Sequence, residues 1–113
     1  MKQNFTCQKG QRVMIKERSK TRFVEMDEIT HLQCDGHLTT IHTINNESFT
    51  VSKLLKNFEE ELLIFGFVRV NRATIINMLY VAQYIGGCKR VVKFLNNIEI
   101  SISRRKVFYF RKK

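Results

Sequence analysis

Two stretches in the second half of the chain place arginine beside asparagine or serine, on segments that alternate between apolar and polar residues. The first, residues 67–77, contains Arg69, Asn71 and Arg72. The second, Ser103-Arg104-Arg105, follows an alternating run of isoleucines. An arginine can form two hydrogen bonds with a guanine edge, and an asparagine two with an adenine edge. The pattern therefore indicates two surfaces suited to a nucleic acid, on regular structure that limits the entropy the arginines lose on binding.

The positive charge of the chain is concentrated in its second part. The formal net charge is +10 at pH 7. Residues 1–65 contain nine basic and nine acidic side chains, whereas residues 66–113 contain eleven basic side chains and one acid, Glu99. A neutral part joined to a strongly cationic part is typical of proteins that bind a polyanion. The basic end, residues 111–113, is expected to add only non-specific attraction.

Composition indicates one folded domain. The chain has 113 residues, of which 43% are hydrophobic and 11% aromatic, which argues against intrinsic disorder. No apolar run reaches membrane-spanning length, and the N-terminus lacks the apolar centre of a signal peptide. The three cysteines are odd in number and far apart, which favours reduced thiols. We therefore expect a cytoplasmic protein that does not enter a membrane.

Residue types used in catalysis and metal binding are present, but not in a usable pattern. Three histidines lie around the Asp35-Gly36 pair. If those two residues form the turn of a hairpin, His31 lies opposite Thr40 and no four ligands converge. Cys88 has basic neighbours but no identifiable general base. A nuclease needs several carboxylates for its metal ions, and the cationic part has one. We predict no enzyme activity, no metal site and no cofactor.

Short β-branched segments separated by turn residues predict a mostly β domain with antiparallel sheets. Asp35-Gly36 is the strongest hairpin signal, because a type I′ turn needs two residues with positive φ. Asn45-Asn46 and Asn96-Asn97 are further turn signals, since asparagine tolerates the left-handed region. The polar loop 18–21 separates one more pair of predicted strands.

One segment has helical periodicity instead. Residues 52–65 predict an amphipathic helix with Ser52 as N-cap and Gly66 as C-terminal stop. Its predicted apolar stripe is Leu54, Leu55, Phe58, Leu62 and Phe65. The outer face would carry residues 59–61, three glutamates that phosphates repel, so we expect this helix to stay outside a DNA groove. No second helix with a basic face is predicted, which excludes a helix-turn-helix reader.

The order of these features resembles the LytTR DNA-binding domain, the output module of many bacterial response regulators. The resemblance covers about residues 13–107, and its parts are a β-rich first half, the Asp-Gly hairpin, Val-Ser-Lys-Leu-Leu, Phe-Val-Arg-Val-Asn-Arg-Ala-Thr-Ile-Ile-Asn and Ser-Ile-Ser-Arg-Arg. It is most specific in residues 67–77 and 101–105. The resemblance implies an elongated fold of small antiparallel β-sheets with one or two short helices. It also implies a transcription regulator of a two-component system that reads direct repeats in promoters through loops in successive major grooves.

The resemblance also implies roles for individual residues. His37 corresponds to a contact residue of one loop, Arg72 to the main base reader of the central loop, and Arg104 to the reader of the last loop. Arg72 and Arg104 are expected to read two separate major-groove segments. Asn71 stands where the family often has histidine, and Ala73 where it usually has a small hydroxyl residue. The complete expected DNA-binding set is His37, Lys53, Arg69, Asn71, Arg72, Ser103, Arg104 and Arg105.

Two alternatives to duplex reading remain open. A single-strand binder would stack bases on Phe94, Tyr109 and Phe110. A protein-interaction module would present the basic face to an acidic partner. We divide the chain into an N-terminal extension, residues 1–12, and a DNA-binding domain, residues 13–113. The expected partners are double-stranded DNA, a second copy of the chain on repeat sites, and a receiver domain or sensor protein if the chain is an excised fragment.

Overall fold

Antiparallel strands form three sheets in the computed structural model of the chain, which describes residues 11–110. A two-stranded sheet joins β1 (Arg12–Lys16) to β2 (Thr21–Glu25) across the predicted polar loop. The main sheet has the order β5-β4-β3-β7-β6, and its strands are β3 (Ile29–Asp35), β4 (Leu38–Thr43), β5 (Ser48–Val51), β6 (Phe67–Asn71) and β7 (Thr74–Asn77). The third sheet has the order β10-β9-β8, from β8 (Val81–Ile85), β9 (Val91–Phe94) and β10 (Glu99–Ser101).

The predicted mostly β, elongated fold is confirmed. Principal-axis extents of 46 × 31 × 24 Å show the elongation. None of the described helices is long and apolar enough to cross a bilayer. Most of the predicted N-terminal extension and all of the basic end at residues 111–113 lie outside the described residues.

The five-stranded sheet separates two hydrophobic cores. Because successive residues of a strand point to opposite faces, Phe67 contributes to one core while Val68 and Val70 contribute to the other. Ile75 and Ile76 divide in the same way on β7. The first core is completed by strands β1 to β5 and the helix. The second core is completed by Val92, Phe94, Ile100, Ile102 and Val107.

The helix is shorter than predicted. It spans Leu55–Leu62 (α1) and continues as a 3-10 turn, Leu63–Phe65. Ser52 is not the N-cap: Leu54 occupies that position, and no side chain caps the helix. Leu54 and Phe65 are 50% and 40% exposed, because only the central turns of this segment lie against the sheet. The predicted stop at Gly66 is confirmed by its left-handed φ of 89°.

The β3–β4 hairpin turns one residue later than predicted. Asp35 pairs with Leu38, which makes Gly36 and His37 the central residues, and of these only Gly36 has a positive φ, 66°. A turn of type II′ needs positive φ at its first central position alone, which glycine supplies. The observed register places Leu32 opposite Ile41, and both are buried in the first core. His31 therefore lies opposite His42, not opposite Thr40.

Candidate nucleic-acid interface

Several of the predicted contact residues leave the five-stranded sheet at the same end. The Gly36-His37 turn, the Arg72-Ala73 turn between β6 and β7, and the segment after β5 that contains Lys53 all lie at this end. The backbone N–H of Cys34 donates to the Ala73 carbonyl at 2.9 Å. The Thr39 hydroxyl donates to the Lys53 carbonyl at 2.6 Å. Antiparallel pairing thus brings together segments that are distant in sequence.

The second arginine stretch, Ser103-Arg104-Arg105, is bonded to the same end of the five-stranded sheet, on the side of the second core. The Ser103 N–H donates to the Val70 carbonyl at 2.8 Å. The strand β10 ends at Ser101, and residues 104–109 form a 3-10 helix. Arg104 and Arg105 therefore lie in the first turn of that helix. The sequence pattern places the two arginines at the end of a strand, whereas β10 ends at Ser101 and a 3-10 helix begins at Arg104.

These two stretches line one open groove of about 540 Å³. Six of the eight predicted residues are in its wall: Arg69, Asn71, Arg72, Ser103, Arg104 and Arg105. His37 and Lys53 lie near the same end of the sheet but do not line the groove. Lys106 and Glu59 line it without having been predicted. Lys106 lies two residues after Arg104 on the same short helix. Its position in an unbroken run of three basic residues was the sequence signal that could have identified it.

The cations at this end of the sheet differ in their partners. Arg72, Arg104, Arg105 and Lys106 have no carboxylate within ion-pair distance among residues 11–110. The Arg69 guanidinium contacts Glu59 Oε1 at 3.1 Å. The Lys53 ammonium contacts Glu61 Oε2 at 2.9 Å. Two of the predicted contact residues therefore already have an internal counter-ion, whereas the other four cations lack one.

The Glu59 contact corrects the expected position of the helix. Glu59 is half-buried and faces Arg69 across the wall of the groove, so it is not on the outer face. Glu60 remains exposed. Helix α1 thus borders the candidate interface with one carboxylate, and its exposed side points elsewhere.

Arg69 is directed at the backbone of the neighbouring turn. Its Nη2 donates to the Arg72 carbonyl and its Nε to the Asn71 carbonyl at 3.4 Å. Together with the Glu59 contact, these bonds connect α1 to the β6–β7 turn. Arg69 therefore supports the turn that presents Arg72.

A second hollow, of about 440 Å³, adjoins the groove and shares Arg104 with it. Arg90 lies in its wall beside Gly86 and Gly87 of the β8–β9 connection. The Arg90 carbonyl accepts from the Ile102 N–H at 2.8 Å, and Arg90 has a φ of 45°. Sequence reasoning missed both β8 and this contribution of Arg90. The available signal was Lys89-Arg90 directly after a glycine pair, which is a basic turn between strands.

Two of the three histidines, His31 and His42, stack on each other beside the second core. The His31 and His42 rings are parallel, with centroids 4.3 Å apart, and His31 meets the edge of Phe94 at 5.6 Å. Burial, together with the nearby His42 ring, lowers the pKa of His31 to about 4. Burial also lowers the pKa of His42. Among residues 11–110, no three His, Cys, Asp or Glu side chains come together as metal ligands.

The aromatic residues proposed for base stacking are mostly committed to packing. Phe94 is 1% exposed in the second core. Phe110 packs against that core with its ring stacked on Tyr84, at a centroid distance of 5.3 Å. Tyr109 is exposed and stacks on Phe108 at 4.3 Å. Of the three residues, only Tyr109 offers a surface to a base.

Comparison with known proteins agrees with the fold. Residues 19–113 match the family model of the LytTr DNA-binding domain. A similar solved structure is described as the LytTr DNA-binding domain of a methyl-accepting/DNA response regulator from Bacillus cereus. It has a TM-score of 0.74 and 20% identity over 88% of this chain and 93% of that chain, which shows a shared fold. No curated protein matches the chain in sequence. The family match shows that the chain belongs to the LytTR family of DNA-binding domains.

Proposed function

We propose that the protein is a bacterial transcription regulator that recognises double-stranded DNA by sequence, using loops at one end of its five-stranded sheet. One observation carries the proposal: a single groove collects, from two stretches far apart in sequence, four cations that have no carboxylate partner within residues 11–110. The exposed arginines of this groove suit the major groove of a duplex, where arginine distinguishes guanine from the other bases. The recognition unit would be residues 13–113, with residues 1–12 as an extension.

Within this interface, Arg72 and Arg104 are the proposed base readers. Both are exposed, and each follows backbone that is hydrogen-bonded to its neighbours. Because they line the same groove, we propose that they act on one stretch of bases, a change from the separate segments expected from sequence. Ser103, Arg105 and Lys106 would hold adjacent phosphates. The contribution of Arg69 would be to support the Arg72 turn.

Three further residues would contact the flanking DNA backbone. His37 is exposed in the β3–β4 turn, and Lys53 lies after β5, where it forms an ion pair with Glu61. Arg90 extends the cationic surface beyond Arg104. On direct repeats, two copies of the chain would bind side by side, and a receiver domain or sensor protein would supply the input signal. This role would be exercised in the cytoplasm.

Selection of duplexes from a random pool, followed by alanine substitution, tests this function. Arg72→Ala and Arg104→Ala should each cost about 1–3 kcal/mol on the selected site and relax the preference at one or two base pairs. Lys56→Ala, on the exposed side of α1, is the control and should leave the preference unchanged. Failure to enrich any duplex would refute the proposal, as would tighter binding of an unstructured single strand of equal length. Equal losses on specific and non-specific DNA would make the two arginines phosphate contacts only.

A further inference from the structure

The side chain of Asn71 connects the two arginine stretches. Its Nδ2 donates to the Ser101 carbonyl at 2.7 Å, across a sequence separation of 30 residues. Its Oδ1 accepts from the Ala73 N–H at 2.8 Å, which closes the turn around Arg72. One side chain thus shapes the turn of the first arginine and attaches it to the strand that precedes the second.

The connection lies next to the proposed readers on both sides. Arg72 directly follows Asn71, and Arg104 comes three residues after Ser101. The Ser103 N–H to Val70 carbonyl bond, 2.8 Å long, is the neighbouring backbone link between the same two stretches. Loss of the Asn71 side chain would leave the Ser101 carbonyl without this partner and the turn held by fewer bonds.

The same two bonds argue against Asn71 as a base reader. Bidentate recognition of adenine uses the amide oxygen as acceptor and the amide nitrogen as donor together. In this structure, Oδ1 and Nδ2 each have one backbone partner, and these two bonds fix the orientation of the amide. Rotation toward a base would break both bonds, and with them the alignment of the two stretches.

We propose that Asn71 is a positioning residue, which holds the Arg72 turn and the Arg104 stretch in one arrangement and acts on DNA through those arginines. The inference rests on the proposed function and deepens it. Its physical basis is preorganisation: flexible arginine loops lose conformational entropy when they bind, and a connection made before binding reduces that loss. Sequence specificity depends on this alignment, whereas general attraction to phosphates depends on charge.

A double-mutant cycle in duplex binding tests the inference. Asn71→Ala should lower affinity for the selected site about tenfold, while affinity for unrelated duplex and the slope of affinity against salt stay unchanged, because no charge is lost. In the Arg104→Ala background, Asn71→Ala should cause less than about a threefold further loss, since there is then one reader fewer to align. Asn96→Ala is the matched control: Asn96 Oδ1 accepts from the N–H two residues later, that of Ile98 at 3.4 Å, and does not link the arginine stretches.

A second variant guards against a folding defect in Asn71→Ala. Asn71→Asp keeps the acceptor for the Ala73 N–H, replaces the donor to the Ser101 carbonyl with an oxygen, and adds one negative charge. The ratio of specific to non-specific affinity cancels the general repulsion of the added charge, and this ratio should also fall about tenfold.

Two results would overturn the inference while leaving the proposed function intact. The first is that the affinity loss of the double variant equals the product of the fold losses of Asn71→Ala and Arg104→Ala, which would make the two residues independent. The second is a changed preference at a base pair that neither Arg72→Ala nor Arg104→Ala affects, which would make Asn71 a reader. If the unmodified protein shows no duplex preference, the proposed function itself fails, and this inference fails with it.

Discussion

The two hydrophobic cores, on opposite faces of one sheet, support different parts of the molecule. The first core packs α1 against β1 to β5, all from the part of the chain with balanced charge. The second core lies under β8 to β10 and the 3-10 helix, all from the cationic part. Ile102 and Val107 of the second core lie on either side of Arg104 and Arg105 in sequence. Packing in the second core therefore holds the arginine stretch more directly than packing in the first.

Strands β6 and β7 contribute residues to both cores, and side chains on both sides hold the turn between them. Arg69 connects that turn to α1 on the side of the first core. Asn71 connects it to β10 on the side of the second core. We therefore expect damage to the first core mainly to unfold the protein, and damage to the second core also to misalign the proposed interface.

The largest expected effect is on the first core. Phe58 is 1% exposed, so Phe58→Ala should lower the free energy of unfolding by about 3–5 kcal/mol, through lost burial and the cavity that remains. Denaturant titration measures this loss. Binding corrected for the folded fraction should keep its sequence preference. A changed preference would show that the first core also positions the readers, and the proposed separation would then be wrong.

The next largest effect is a loss of stability at low pH, caused by the stacked His31 and His42 rings beside the second core. His31 has a pKa of about 4 in the folded protein and about 6.5 when unfolded, so the unfolded state binds the proton first as pH falls. Stability should be unaffected above pH 6.5 and decline toward pH 4 by up to about 1.4 kcal/mol per pH unit, with a total of roughly 2–3 kcal/mol.

Denaturant titrations of His31→Gln should show a smaller decline, because burial by itself still lowers the pKa of His42. Those of His37→Ala, in the exposed turn, should retain the full decline. An NMR titration of the His31 ring measures the folded-state pKa directly. A value near 6.5 would contradict the burial argument.

A smaller truncation in the second core tests its link to recognition. Ile102→Val should cost about 0.5–1.5 kcal/mol of stability, because it removes one buried methylene. It should also lower specific affinity more than non-specific affinity, since Ile102 precedes the Ser103 bond to Val70. If the ratio of specific to non-specific affinity stayed unchanged in the folded variant, packing in the second core would not determine the position of Arg104.

The smallest effect is expected on the exposed side of α1. Glu60→Lys should leave stability within about 0.5 kcal/mol and leave the recognised sequence unchanged. Non-specific affinity should rise slightly through charge alone. Glu59→Gln is the informative companion, because Glu59 contacts Arg69 and its loss should alter the Arg72 turn. If Glu60→Lys changed the preferred sequence, α1 would lie against the DNA.

By itself, the sequence determined the local features of this protein. Alternation of apolar residues predicted most strands, Gly66 the end of the helix, and the asparagine pairs the turns at which Asn46 and Asn97 take positive φ. The family resemblance and the mostly β, elongated fold also followed from sequence, and the family match confirms the resemblance. These features depend on residues close together in the chain, which explains why the pattern reveals them.

Only the tertiary structure decided which distant residues meet. It showed that the Arg72 turn and the Arg104 stretch line one groove, and that Asn71 connects them. It also gave Lys53 and Arg69 carboxylate partners and buried Phe94. The β3–β4 register followed from burying Leu32 opposite Ile41, which outweighed the local turn preference of Asp35-Gly36. Each of these outcomes depends on packing between elements that are far apart in sequence, and no local pattern encodes it.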